Sequence, residues 1–89
     1  MSVLVKISAT GLDQAVYDQM VPGIHPHMKK QPGFIIHVAY PIPSGFAVEE
    51  VWESKAQHDA WYNEFIMPNL PDPDAMSLEF IELHAVEQP

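Results

Sequence analysis

The chain turns from strand to helix within Phe46-Ala47-Val48-Glu49-Glu50-Val51-Trp52-Glu53-Ser54-Lys55-Ala56-Gln57. Phe46 to Trp52 reads as a strand, built on β-branched and aromatic residues. Ser54-Lys55-Ala56-Gln57 is a capping box, in which Ser54 caps the new helix and Gln57 reaches back. That helix is predicted to run to about Phe65 or Met67, ahead of Pro68. Trp61 and Phe65, and likewise Tyr62 and Ile66, are spaced i, i+4 along it.

Working outward, Pro41-Ile42-Pro43-Ser44-Gly45 is predicted to be a loop, because proline cannot join a central ladder. Before it, Phe34 to Tyr40 forms a strand largely apolar on both faces, opened by the Pro32-Gly33 turn. The short connection makes these two strands an antiparallel hairpin. At the start of the chain, residues 2–8 alternate, with Val3, Val5 and Ile7 on one face and Leu4 and Lys6 on the other. A helical stripe follows at Leu12, Ala15, Val16 and Met20. Pro22-Gly23 is expected to stop or kink that helix, with one further turn from His25 to Lys30. Past Pro68, a stiff acidic loop from Pro68 to Asp74 leads to a last strand, Ser77 to Val86. The element order is βαββαβ, which predicts an α+β, ferredoxin-like sheet with helices on one face.

The chain has 89 residues, which suits a single domain spanning 1–89. A chain of this size buries only about 60–65% of its unfolded surface. It has no cysteine to add a disulfide or thiolate metal site, yet 47% of it is hydrophobic. The helix-free face of the sheet would still carry apolar side chains, so a homodimer packing these faces together is expected. The net charge is −8, from 12 acidic and 4 basic residues, and there is no arginine. Nucleic acid is disfavoured for lack of a basic footprint, and anionic membrane surfaces for the same reason. No stretch resembles a signal peptide or a spanning helix, so a cytoplasmic location is expected. A neutral, hydrophobic or aromatic small molecule is the partner that remains.

The segment Val48 to Ala56 resembles the "V-x-x-V-W-E-S-x-E-A" segment of antibiotic-biosynthesis-monooxygenase-like proteins, of the dimeric α/β-barrel superfamily. Pro32-Gly33-Phe34 is similar to that family's "P-G-F/L", and Trp61 to a helix tryptophan of several members. The resemblance implies a dimeric α/β barrel. Activities in the family include oxidation of aromatic polyketides with O2 and no cofactor, and haem degradation. Cofactor-independent members line their pocket with that tryptophan and a strand-one Asn; this chain has Trp61 and no such Asn. Haem-degrading members carry a His after the tryptophan, where this chain has Pro68, Pro71 and no His. No haem and no other cofactor are therefore expected.

Among single residues, His37 stands in an apolar strand and needs a partner for its ring N–H. Glu49 or Glu50 on the neighbouring strand can supply it, depending on register. With Glu50 as the orienting partner, His37 is the candidate catalytic base; the alternative is a structural, hydrogen-bonded histidine. His58, Trp61 and Tyr62 share a helix face, with Phe65 one turn on, and are the candidate substrate-binding residues. Against this, Trp61 and Phe65 also suit a core, and His58 an exposed position over it. Tyr17 and Tyr40 each suit a pocket, the core or its rim. His25-Pro26-His27 offers two imidazoles without a third ligand, so no metal is expected. Asp72-Pro73-Asp74 departs from a calcium loop and reads as a rigid turn. The function expected is a small-molecule enzyme, cofactor-independent, oxidising an aromatic or polyketide-like substrate. The alternatives are a non-catalytic small-molecule-binding protein and a structural homodimer.

Overall fold

A computed structural model describes residues 1–70 and 72–89; Pro71, expected in the acidic loop, lies outside the described residues. The elements are β1 (Val3–Thr10), α1 (Gln14–Met28), β2 (Phe34–Ile42), β3 (Gly45–Trp52), α2 (Lys55–Trp61) and β4 (Met76–Glu82). The sheet runs β2-β3-β1-β4, every neighbour antiparallel. This is the expected α+β, ferredoxin-like arrangement. No helix among the described residues is long and apolar enough to cross a membrane.

Alternation in β1 buries Val3, Val5, Ile7 and Ala9 against the helices and leaves Lys6 exposed. Antiparallel pairing puts direct partners on one face. One row across the sheet is therefore His37, Glu50, Val5 and Phe80, and the next is Ala39, Val48, Ile7 and Leu78. The buried core gathers Val3, Val5, Ile7, Met28, Trp52 and Trp61. The opposite face is open in the single chain, with Ile36 at 50% and Val38 at 47% exposure beside Tyr40 and Ile81.

Several local expectations are corrected. β2 runs on through Pro41 to Ile42, and only Pro43-Ser44 turn. β2 is an edge strand here, where a missing N–H costs no ladder bond. Gly45 closes the hairpin against β1, where any Cβ would collide with the Ala9 carbonyl oxygen. α1 continues through Pro22 and Pro26, both on its exposed side. Water can satisfy the carbonyls that each proline leaves without a partner. Its inward side is Tyr17, Met20, Val21, Ile24 and Met28, while Ala15 is exposed.

The second helix ends sooner than its periodicity suggests. Ser54 Oγ accepts the Gln57 N–H at 3.2 Å and opens α2, which gives way at Tyr62–Ile66 to a π turn. The Met67 N–H closes that turn on the Tyr62 carbonyl. A 3-10 turn, Met67–Asn69, carries Pro68. The last strand is also shorter than expected and ends at Glu82. Asp72 caps a second 3-10 turn, accepting the Asp74 N–H at 3.2 Å, so this segment is a local turn.

Candidate active site

Phe34 and His37 are three residues apart, an odd spacing that would send them to opposite faces of a regular strand. A β-bulge between Phe34 and Ile36 removes the conflict. Phe34 then pairs with Trp52 and His37 with Glu50, all on the helix-facing side. Glu49 goes to the open face, where its carboxylate accepts the Tyr40 hydroxyl. The choice of partner for His37 thus falls on Glu50.

Glu50 is buried and holds two contacts, one on each oxygen. Its Oε1 accepts the Trp52 indole N–H at 2.9 Å, and its Oε2 lies 2.7 Å from His37 Nδ1. A carboxylate only accepts, so His37 donates from Nδ1, and in the neutral imidazole Nε2 then keeps its lone pair. The Tyr17 hydroxyl lies 2.7 Å from that Nε2 and donates to it. His25 Nε2 lies 3.3 Å from the same hydroxyl. With the phenolic proton already directed to His37, His25 completes the set as the donor. The chain of bonds runs Trp52, Glu50, His37, Tyr17, His25. Tyr17 also stacks on Phe46, with ring centroids 4.8 Å apart.

Glu50, His37, Tyr17, His25 and Phe46 stand on the wall of an open cavity of about 340 Å³ between α1, the π turn and the sheet, with Trp52 buried behind them. Its remaining lining is mostly apolar, including Ile7, Met20, Ile24, Val48, Trp61 and Ile66. Burial, then the Glu50 and Asp18 charges, push the Tyr17 hydroxyl above the ordinary tyrosine pKa, so it stays protonated at neutral pH. Burial, then His37 and Lys29, push His25 below the ordinary histidine value, so its imidazole is neutral there. Burial also raises the Tyr62 hydroxyl. An apolar cavity with one hydrogen-bonded acid–base chain is equipped to bind a largely apolar molecule and take up one proton.

Of the residues singled out in the sequence, His37, Glu50, Trp61 and Tyr62 line this cavity together. His58 does not; it is fully buried behind it, stacked on Tyr62 and edge-on to Trp52 and Phe80. Its Nδ1 lies 3.2 Å from Asp59 Oδ1, while its Nε2 is unbonded and 4.0 Å from Glu50 Oε1. Phe65 stacks on Trp61 at 4.9 Å and on His27, outside the lining. His25 and His27 therefore face different partners, and no metal-binding group of three His, Asp or Glu forms among the described residues. In the sequence, His25 stands out only as half of a potential metal pair with His27. Had α1 been read through its prolines, Tyr17 and His25 would have come out on one continuous helix beside the stripe Met20, Val21, Ile24.

No protein family matches the chain by sequence, and no curated protein does. Solved structures do match it. A protein of unknown function from Nitrosomonas europaea, NE2512, superposes with a TM-score of 0.66 at 21% identity, over 99% of this chain and 92% of its own. SnoaB, a cofactor-independent oxygenase from Streptomyces nogalater, matches with a TM-score of 0.54 at 12% identity, over 98% of this chain and 94% of its own. A point variant of SnoaB gives 0.60 at 10% identity, over 96% and 94%. The resemblance to antibiotic-biosynthesis-monooxygenase-like proteins holds at the level of fold. At these identities, fold is what the likeness conveys.

Proposed function

We propose that the protein is a cofactor-independent enzyme that binds a hydrophobic, aromatic molecule in the cavity and removes a proton from it. His37 is the base, Glu50 fixes its tautomer, and Trp61 and Tyr62 form the wall against which the ring system lies. The carbanion or enolate so formed is electron-rich enough to reduce O2; one oxygen atom stays on the substrate and the other leaves as water. The observation that carries the reading is the Glu50–His37 hydrogen bond of 2.7 Å at the wall of an apolar cavity. The fold shared with SnoaB, a cofactor-independent oxygenase, supports it by analogy. We further propose a homodimer joined through the open sheet face, which would cover Ile36, Val38 and Ile81.

Oxygen uptake on a hydroxyanthrone tests the enzymatic reading. The protein should accelerate uptake well above the buffer rate without added metal or flavin, and His37→Gln should abolish most of that gain. Tight binding of the anthrone with no acceleration would leave a non-catalytic binding protein as the function.

A further inference from the structure

We propose that Tyr17, not His37, is the group that meets the substrate, and that the substrate is a compact apolar molecule with one acidic hydroxyl, a phenol or an enol. The proposal rests on the base assigned above and extends it by one residue. His37 Nε2 is already occupied by the Tyr17 hydroxyl at 2.7 Å, so an incoming molecule finds that lone pair taken. The Tyr17 oxygen can accept two hydrogen bonds, and His25 Nε2 fills one of them at 3.3 Å. The second is left for a ligand in the cavity that Tyr17 lines.

The transfer then balances in one concerted step. The substrate O–H breaks and its proton joins Tyr17 Oη, while the proton formerly on Oη passes to His37 Nε2. Tyr17 ends neutral, as it began. The substrate becomes an anion that accepts from the renewed Tyr17 hydroxyl, and the imidazolium of His37 faces Glu50. Other charged or titratable groups in reach are Asp18 near Tyr17, Lys29 near His25, and His58 at 4.0 Å from Glu50. His25 is a positioning residue, since a donor at 3.3 Å from the Tyr17 oxygen is compatible only with the Tyr17 proton pointing to His37.

The probe is 4-nitrophenol, whose phenolate is coloured. On the wild-type protein its ionisation midpoint should fall by about one pH unit or more relative to water. Tyr17→Phe should still bind the neutral phenol, weakened by the one hydrogen bond lost, because the ring that stacks on Phe46 is retained. The midpoint should return to the value in water in Tyr17→Phe and in His37→Gln alike. A wild-type midpoint in Tyr17→Phe that is lost in His37→Gln would mean that the substrate docks directly on His37, which overturns the relay and leaves the base standing. A wild-type midpoint in both variants would overturn the base as well, as would an unshifted midpoint or no binding on the wild type. Nitrogen-15 NMR on the unsubstituted protein gives a check that needs no variant. Adding 4-nitrophenol must convert His37 Nε2 from a bare to a protonated nitrogen, and an unchanged signal overturns the proposal.

Discussion

Glu50 can be changed in two ways that separate its roles. Glu50→Ala takes the acceptor away from two donors at once, the buried Trp52 indole N–H and His37 Nδ1–H. An orphaned buried donor costs about 1–3 kcal/mol. The pair and the emptied space should therefore cost about 3–5 kcal/mol. A domain of this size has total stability on the order of 4–13 kcal/mol, so the loss is a large share of it. Glu50→Gln keeps the shape. Its amide oxygen can still accept from Trp52, but its NH2 then faces His37, where two donors would meet. The ring escapes by moving its proton from Nδ1 to Nε2, which turns the nitrogen facing Tyr17 from acceptor into donor. Stability should fall by only about 1 kcal/mol, the difference between a charged and a neutral hydrogen bond. Proton abstraction should fall by about 10²–10⁴, since the base has lost its lone pair. Urea melts of both variants and nitrogen-15 spectra of His37 read these effects. Equal midpoints for the two variants, or a bare His37 Nε2 in Glu50→Gln, would refute the hydrogen-bond directions on which the site is built.

Trp61 belongs to both the core and the cavity lining. Trp61→Phe should cost about 1–2 kcal/mol and weaken binding of a planar aromatic several-fold; unchanged binding with a lowered melting temperature would assign it to the core alone. Val38→Glu on the open face should give a monomer in light scattering where the wild type gives a dimer, and a dilute, folded wild-type monomer would refute the dimer. Stability should also depend on pH at two separate limits. The depressed pKa of His25 means that the unfolded chain binds its proton more readily, so stability present above the ordinary value of 6.5 is lost as pH falls below it. The raised pKa values of Tyr17 and Tyr62 work in the opposite direction, giving stability that is present below 10.0 and lost as pH rises beyond it. His25→Gln should flatten the acid limb just below 6.5 in denaturant midpoints; an unchanged limb would contradict the burial of its imidazole.

Features written in short-range pattern were legible in the sequence. The alternation of Val3, Val5 and Ile7 became the buried face of β1, and Ser54 caps α2 as its spacing to Gln57 implied. What misled were the prolines, which act by context. Pro41 bars a central ladder, but the fold puts β2 at the edge of the sheet. Pro22-Gly23 suggests a stop or a kink, and α1 does not stop there: Pro22 lies on its exposed side, where water can replace the lost partner. Neither the edge position nor the exposed side follows from neighbouring residues; both depend on where the rest of the chain packs.

The site was half legible for the same reason. His37 stood out as a polar residue in an apolar strand, yet its partner depended on register, and the register depends on a bulge that no turn residue announces. The π turn at Tyr62–Ile66 is equally silent in the sequence, because Trp61 and Phe65 satisfy an ordinary i, i+4 reading. Each irregularity changes the residue count locally, and each lies next to residues that line the cavity. The bulge brings His37 onto the face of Glu50, and the π turn begins where Trp61 and Tyr62 both line the space opposite. A regular strand would have sent either Phe34 or His37 to the open face. Keeping both inside requires one extra residue in β2, and that residue, Ile35, separates a structural aromatic over Trp52 from the imidazole that Glu50 orients.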